Sequence, residues 1–146
     1  MCWIEAGPAR CFNKGAQRLF AGWLDTPGER NLLRFVFLNA VARTFICRWE
    51  ERARRLVAEF RAASGAHFDE PAQRAFIATL RQESKDFARL WDEQAVLGRE
   101  GGERTFNHPL DGFLRYEQVT FNVANHPDLK LTMLVQTTTA SLKSVV

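Results

Sequence analysis

Long apolar runs are missing from this chain of 146 residues. Charged side chains, among them Arg34, Arg43 and Arg48, interrupt each apolar stretch before it reaches the roughly 18–20 residues that a membrane span needs. The first residues also lack the basic segment followed by an apolar segment that forms a secretion signal. We therefore expect a cytoplasmic protein with no membrane partner.

Cysteine is scarce and unpaired. The chain has three cysteines and no Cys-x-x-Cys spacing: Cys2, Cys11 and Cys47. This pattern disfavours a disulfide framework or a structural zinc site and favours a reducing compartment. The three histidines are too far apart to show metal-ligand spacing, so no metal and no cofactor are predicted. One histidine as an axial haem ligand stays open as an alternative.

Catalytic motifs are also missing. The sequence has no Gly-x-Ser-x-Gly elbow, no HExxH, no phosphate-binding GxxxxGK[ST] and no GxGxxG that opens a helix. The remaining enzyme hypothesis is a Cys47 nucleophile with His108 or His126 as its base, but a buried inert cysteine is the more common case. We expect that the protein is not an enzyme.

Strong net charge is absent as well. Twenty Lys and Arg against seventeen Asp and Glu give a formal charge of +3, which is too little for a dense nucleic-acid-binding stripe. Glu50 and Glu51 precede Arg54 and Arg55 by four residues, which is the spacing of helical ion pairs. This segment is therefore interpreted as a solvated helix face.

Helix signals fill most of the first hundred residues. Asn13, Asn39 and Ser84 are predicted N-caps, and Thr26 before Pro27 gives the clearest start signal for a helix that ends near residue 38. The best amphipathic helix is predicted over 48–62. A further helix is predicted to start at Pro71.

The pattern changes to strands after a glycine-containing loop at 98–102. Residues 113–121 are rich in strand formers and 129–135 alternate in period two, with a turn signal at 125–128 between them. Short segments at 2–4 and 10–12 are expected to complete the sheet, because one hairpin alone would be unstable. The sequence thus predicts a single α+β domain over 1–146, with several helices on a small antiparallel sheet.

Aromatic residues are abundant, with twelve Phe, four Trp and one Tyr. Most of them fall on predicted inward faces and are expected to be core. A cavity between helices and a curved sheet is nevertheless a common apolar ligand site, so we expect that some of the rings wall such a cavity.

Several motifs together resemble the MmyB-like transcription regulator ligand-binding domain, in order and in spacing over about 4–135. They are Asn13-x-x-Ala16-x-x-Leu19-Phe20, 31–37 (NLLRFVF), 49–61 (WEERARRLVAEFR), Ser84-x-x-Phe87-x-x-Leu90-Trp91 and His108-Pro109-x-x-Gly112. The resemblance implies a PAS-like fold around an apolar cavity that holds a long-chain fatty acid or a similar lipid. It also implies a parent regulator that binds DNA through an N-terminal helix-turn-helix domain, which we expect this chain not to contain.

On this resemblance we expect ligand binding to bias a DNA-binding domain or a homodimer interface. The residues expected to wall the cavity are Phe35, Trp49, Phe60, Phe87, Trp91, Tyr116 and Met133. The Tyr116 hydroxyl and an arginine such as Arg34 are candidate polar anchors, the latter for a carboxylate. The alternative function is a PAS-type interaction module that dimerises around a filled core.

Overall fold

The computed structural model describes residues 8–28, 30–65, 69–94 and 102–137. Within these ranges six helices precede a three-stranded antiparallel sheet, which confirms the predicted α+β class. The elements are α1 Lys14–Leu19, α2 Leu32–Leu38, α3 Ala40–Phe45, α4 Trp49–Ser64, α5 Pro71–Glu83, α6 Lys85–Asp92, β1 Gly102–His108, β2 Gly112–Val123 and β3 His126–Gln136. None of these helices combines the length and the hydropathy required to cross a membrane.

Three of the predicted N-caps are confirmed. The side chains of Asn13, Asn39 and Ser84 accept a hydrogen bond from a first-turn N–H at 2.9, 3.0 and 3.1 Å, at the start of α1, α3 and α6. Each bond satisfies one of the amide donors that a helix start leaves without an intrahelical partner.

The predicted helix start at Thr26 is wrong. The Thr26 hydroxyl instead donates to the carbonyl oxygen of Trp23 at 2.9 Å, and Gly28 has a φ of +136°, which no α-helix contains. Helix α2 begins later, with Asn31 as its N-cap accepting from the Arg34 N–H at 3.2 Å. The Thr26 side chain therefore closes the preceding turn instead of capping a helix.

The predicted β2–β3 hairpin is confirmed, with a turn at Ala124 and Asn125 that is tighter than expected. Asn125 has a φ of +64°, a conformation that Asn tolerates better than most residues. The other neighbour of β2 is β1, which pairs with it from Gly102 to His108. This strand was missed, because it follows the glycine-containing loop and most of its side chains are polar.

The expected first hairpin does not complete the sheet within the described residues. Residues 2–4 lie outside them, and Pro8 forms only an isolated bridge with Asn31. The sheet is instead attached to the helices at the α3–α4 corner. There Ile46 bridges Phe106, and the Cys47 N–H donates to the carbonyl oxygen of Thr105 at 3.2 Å.

Two groups of buried and half-buried rings pack together among the described residues. The sheet-side cluster lies between α1, α2, α3 and the sheet and consists of Phe20, Trp23, Phe35, Phe45, Phe106 and Tyr116. The helical cluster lies among α2, α4, α5 and α6 and consists of Phe37, Trp49, Phe60, Phe76, Phe87 and Trp91. Helix α2 contributes to both clusters, because Phe35 and Phe37 point to different sides of it.

Candidate ligand-binding site

A cavity of about 150 Å³ lies between the helices and the inner face of the sheet. Its helical walls come mainly from α2 and α4, and its other wall comes from all three strands. The lining residues are Phe20, Leu32, Phe35, Val36, Ile46, Arg52, Arg55, Leu56, Glu59, Ala63, Arg104, Phe106, Gln118, Thr120, Lys130, Thr132 and Leu134.

About half of the lining residues are apolar, and four of them are buried in the protein core: Phe20, Phe35, Val36 and Phe106. Phe35 is 3% exposed and stacks on Trp23 with ring centroids 4.9 Å apart. Phe106 projects from β1 into the same region and stacks on Phe45 at 4.8 Å. Because these rings are already fixed by their neighbours, they form a preformed wall for an apolar ligand.

The remaining lining is polar and comes from α4 and the strands. Arg52, Arg55 and Glu59 follow one another at helical spacing on one side of α4, and Arg55 lies 3.8 Å from Glu59. Opposite them the strands contribute Arg104, Gln118, Thr120, Lys130 and Thr132. The cavity is therefore amphiphilic, with cationic side chains contributed by both walls.

Burial and like charges act on two of these arginines. Arg104 is 8% exposed, and its burial together with the neighbouring Arg52 lowers the pKa of its guanidinium to about 10. Burial also lowers the pKa of Arg52, and the charge of Arg55 adds to this effect. The two shifts share their causes, which are burial of the charged group and the charge of a neighbouring arginine.

A second cavity, of about 270 Å³, lies between α1 and strands β2 and β3. Its lining includes Leu19 and Tyr116, and it shares Thr132 and Leu134 with the first cavity. The side chains of Thr132 and Leu134 therefore lie between the two spaces.

The structure distributes the seven predicted wall residues over four places. Phe35 lines the first cavity and Tyr116 lines the second. Met133 precedes Leu134 on β3 and so projects to the opposite face of the sheet. The other four belong to the helical cluster and are not among the residues that line either cavity: Trp49, Phe60, Phe87 and Trp91.

The two predicted anchors also lie away from the first cavity's lining. Arg34 pairs with Glu83 at 3.1 Å, with its guanidinium beside the ring of Phe76. Burial raises the pKa of the Tyr116 hydroxyl, with a smaller contribution from the charge of Asp111. Arg52 and Arg55, which do line the cavity, were missed, because a charged stripe on an amphipathic helix usually faces solvent. Of the predicted α4 pairs, Arg54 contacts Glu50 at 3.4 Å, whereas Arg55 faces Glu59.

The motif His108-Pro109-x-x-Gly112 forms a latch between α1 and the β1–β2 turn. The Nδ1 atom of His108 accepts hydrogen bonds from the N–H groups of Leu110 and Asp111 at 3.2 and 3.1 Å. The proton must therefore lie on Nε2, which donates to the carbonyl oxygen of Arg18 at 2.9 Å. The Arg18 guanidinium in turn binds both carboxylate oxygens of Asp111. This latch holds α1 against the sheet.

The sequence left two other chemistries open, a Cys47 nucleophile with a histidine base and a histidine ligand for haem. Both ring nitrogens of His108 are engaged in the latch, and Cys47 is half-buried at the α3–α4 corner. In the part of the chain that the structure describes, no three His, Cys, Asp or Glu side chains cluster closely enough to hold a metal ion.

An α+β domain with an amphiphilic cavity between its helices and its sheet has the architecture of a small-molecule-binding domain. Residues 10–142 match the family described as the MmyB-like transcription regulator ligand binding domain, and the chain belongs to this family. Members of this family are ligand-binding domains of regulators. Comparisons of the chain with curated proteins and with solved structures give no match.

Proposed function

We propose that this domain is the sensor of a transcription regulator and binds a hydrophobic small molecule, such as a long-chain fatty acid, in the cavity between α2, α4 and the sheet. The apolar half of that cavity is the observation that carries the proposal. In this proposal the fold is PAS-like, and DNA is bound by a helix-turn-helix domain of the parent protein. The cytoplasmic location and the lack of a cofactor stay predictions.

The size of the first cavity limits what enters it without rearrangement. An engineered cavity of about 150 Å³ holds a benzene-sized molecule. A long acyl chain therefore needs more space than this cavity of about 150 Å³ provides. We propose that the acyl chain of the ligand continues past Thr132 and Leu134 into the second cavity. The end of the acyl chain would then lie beside Tyr116.

Ligand binding would then act on the arrangement of the elements around it. A molecule that contacts α2, α4 and the strands stabilises the arrangement in which these walls lie at the right distance. Helix α1 follows that arrangement, because Phe20 lines the cavity and the His108 latch ties α1 to the sheet. Since α1 is the first described helix of the chain, it is the natural route to an N-terminal DNA-binding domain.

A cavity-filling substitution tests this function. We expect Leu56→Trp to place an indole in the cavity and to lower retention of bound lipid at least about tenfold, a difference of about 1.4 kcal/mol in binding. The matched control is Leu38→Trp on α2, where the leucine is exposed and does not line the cavity. Lipid content is measured by extraction and mass spectrometry. Equal lipid content in both variants would contradict the proposed site.

The second candidate function is dimerisation of the domain. Apolar residues on the outer face of the sheet favour it. This face carries exposed Val119, Phe121 and Val135 on β2 and β3, next to Met133. Apolar residues grouped in this way often mark an interface. The proposed partner is a second copy of the chain, with the two outer faces packed together.

The test of the dimer is the mass in solution as the protein is diluted, compared with that of a Phe121→Lys variant. A concentration-dependent dimer that Phe121→Lys abolishes would support the interface. A monomer at all concentrations would remove it and leave the sensor function unaffected.

A further inference from the structure

The His108 latch depends on a titratable group that is buried where α1 meets the sheet. His108 is 4% exposed, at the end of β1. The carbonyl group of Arg18 lies on one side of its ring, and the turn amides of Leu110 and Asp111 lie on the other. Imidazole is the side chain that ordinarily gains or loses its charge between about pH 5 and pH 8. Acid can therefore change the charge of the group that holds the latch together.

The closed latch accepts only the neutral ring. The Nδ1 atom of a neutral imidazole offers one lone pair, and in the latch this lone pair accepts from two backbone N–H groups at 3.2 and 3.1 Å. A proton on Nδ1 would remove the acceptor and place a third donor against the other two. Protonation of His108 and closure of the latch therefore exclude each other.

The Asp111 carboxylate is a second partner that the charged ring can use. Its Oδ2 atom lies 3.6 Å from Nδ1, which is too far for a hydrogen bond in the closed latch. Both carboxylate oxygens instead bind the Arg18 guanidinium. The negative charge of Asp111 favours an imidazolium beside it, and the positive charge of Arg18 opposes one.

The other elements around His108 present uncharged groups to it. The ring of Phe45 from α3 lies edge-on, with ring centroids 6.5 Å apart, and Gly112 of β2 is the strand partner of His108. Tyr116 lies further along β2. Burial and the charge of Asp111 raise the pKa of its hydroxyl, so Tyr116 stays neutral in acid. The charge balance at the ring is therefore set by Asp111 and Arg18.

Helix α1 depends on the latch because it is short. It has six residues, and a helix of this length is not stable in water without tertiary contacts. Opening the latch removes the hydrogen bond from the His108 ring to the Arg18 carbonyl oxygen and frees the Asp111 carboxylate to leave the Arg18 guanidinium. Loss of these contacts would lower the stability of α1 more than that of helices remote from His108.

We propose that the His108 latch is a proton-sensitive switch that releases α1 from the sheet when the ring is protonated. A proton from solvent binds Nδ1, the protonated Nδ1 donates to the Asp111 carboxylate, and the two turn amides lose their acceptor. Loss of the proton to solvent closes the latch again. The switch goes beyond the proposed sensor function, because it makes pH a second input to α1 that acts without a ligand.

The test is amide hydrogen exchange of the full chain at pH 7.5 and pH 5.5, corrected for the intrinsic effect of pH on exchange. The amides followed in α1 are those of Gln17 and Phe20, which donate to the carbonyl oxygens of Asn13 and Ala16. Because the open latch alone binds the proton, we expect their protection to fall at least about tenfold in acid. Amides of α5, which is remote from the latch, should change by less than about twofold. Unchanged protection in α1, or an equal loss in α1 and α5, would overturn the switch.

A variant without the titratable ring assigns the effect to His108. In His108→Gln we expect α1 protection to be low already at pH 7.5 and to show no further loss in acid. The matched control is His126→Gln, because His126 is exposed at the start of β3, and it should keep the full tenfold loss. An acid-dependent loss that persists in His108→Gln would overturn the assignment.

The tautomer of the wild-type ring provides a measurement that needs no variant. Nitrogen chemical shifts at pH 7.5 should show His108 with its proton on Nε2 and an unprotonated Nδ1, and both nitrogens should become protonated in the acid range where α1 loses protection. A proton on Nδ1 at pH 7.5, or ring protonation that leaves α1 protection unchanged, would contradict the switch even if His108→Gln does not fold.

Discussion

At the residue scale, the cavity lining includes a charged side chain that is buried, Arg104. Arg104 occupies an inward position of β1 between the apolar core and the α4 arginines. Burying a cation among cations costs free energy, and proteins commonly retain such a cost where a group serves binding. Arg104 is therefore expected to contribute more to function than to stability.

We expect Arg104→Gln to stabilise the ligand-free protein. The pKa of Arg104 is about 10 in the folded state, below the ordinary value of 12.5, so folding disfavours the charged form. Below pH 10 the guanidinium is charged in both states, and the whole cost is present at neutral pH. After allowance for lost packing we expect a net gain of about 1 kcal/mol, or roughly 2–4 °C in the midpoint of thermal unfolding.

Thermal unfolding of the ligand-free protein measures the expected gain in stability of Arg104→Gln. The control is Arg115→Gln, because Arg115 is exposed and pairs with Glu103 at 3.2 Å on the outer face of the sheet. A midpoint for Arg104→Gln that falls by several degrees, with Arg115→Gln unchanged, would show that the arginine stabilises the empty fold.

Asp86 gives a pH-dependent prediction. Its hydrogen bond with Arg43 lowers the pKa of its carboxyl below the ordinary 3.8. A carboxyl with a depressed pKa contributes stability that is present above its unfolded pKa and is lost as the pH falls through the folded value. We expect Asp86→Asn to cost up to about 1 kcal/mol at pH 7, since the pair is partly exposed, and nothing in strong acid.

Urea unfolding of both proteins across the acid range measures this difference. A constant difference in unfolding free energy at all pH values would show that the Asp86 charge is not its source.

At the element scale, the His108 latch explains a motif that sequence reasoning identified only by resemblance. The latch requires a turn that returns both N–H groups to the ring, and Gly112, with a φ of +74°, allows the chain to enter β2 directly afterwards. Helix α1, which is only six residues long, is therefore held against the sheet by side-chain hydrogen bonds as well as by packing.

Removal of the latch is expected to loosen α1. His108→Ala leaves two turn N–H groups and the Arg18 carbonyl without their partner, a loss of about 2–3 kcal/mol. The matched control is His126→Ala, since His126 is exposed at the start of β3. Urea unfolding gives the free energies, and hydrogen exchange at the α1 amides should rise in His108→Ala alone. Equal values for the two variants would remove the structural role of the latch.

Local chemistry explains which elements were predictable. Asn13, Asn39 and Ser84 were recognised because a cap bonds to its own first turn and needs no tertiary partner. Thr26 was misassigned because the same hydroxyl also fits a turn, and the φ of Gly28 decides between the two. Strand β1 was missed because it is stabilised by its pairing with β2, and its alternation of Arg104, Phe106 and His108 gives a weak hydrophobic period.

At the scale of the whole molecule, two cavities meet at one pair of side chains. Thr132 and Leu134 belong to the lining of both, and each cavity alone has a limited volume. If a long acyl chain occupies both cavities, the Leu134 side chain limits how far the acyl chain extends from the first cavity, which the arginines line, toward Tyr116 in the second.

We expect Leu134→Ala to shift the preference toward longer fatty acids. Each additional buried methylene contributes about 0.8 kcal/mol, so two more would raise the affinity ratio of hexadecanoate to octanoate roughly tenfold. The control is Val135→Ala, the next residue, which is exposed on the outer face. An unchanged ratio in Leu134→Ala, with the protein still folded, would mean that the chain does not pass this residue.

The sequence predicts the kind of site but few of its residues. Phe35 reaches the first cavity, whereas Trp49, Phe87 and Trp91 pack with one another and with Phe37 in the helical cluster. The sequence does not distinguish one aromatic residue on an inward helix face from another. Which of these rings lines a cavity depends on how α2 packs between the two clusters. The α4 arginines could not be assigned for the converse reason, because whether a charged stripe faces solvent or a sheet is decided by tertiary packing.

The proposed ligand site between the helices and the sheet can be tested by native mass spectrometry of the purified chain. The chain is measured as isolated and again after extraction and incubation with saturated fatty acids of increasing length. We expect one fatty acid per chain, lost on extraction, regained on incubation and reduced in Leu56→Trp. A chain that carries no ligand as isolated and binds none of the added fatty acids would rule out the proposed ligand site.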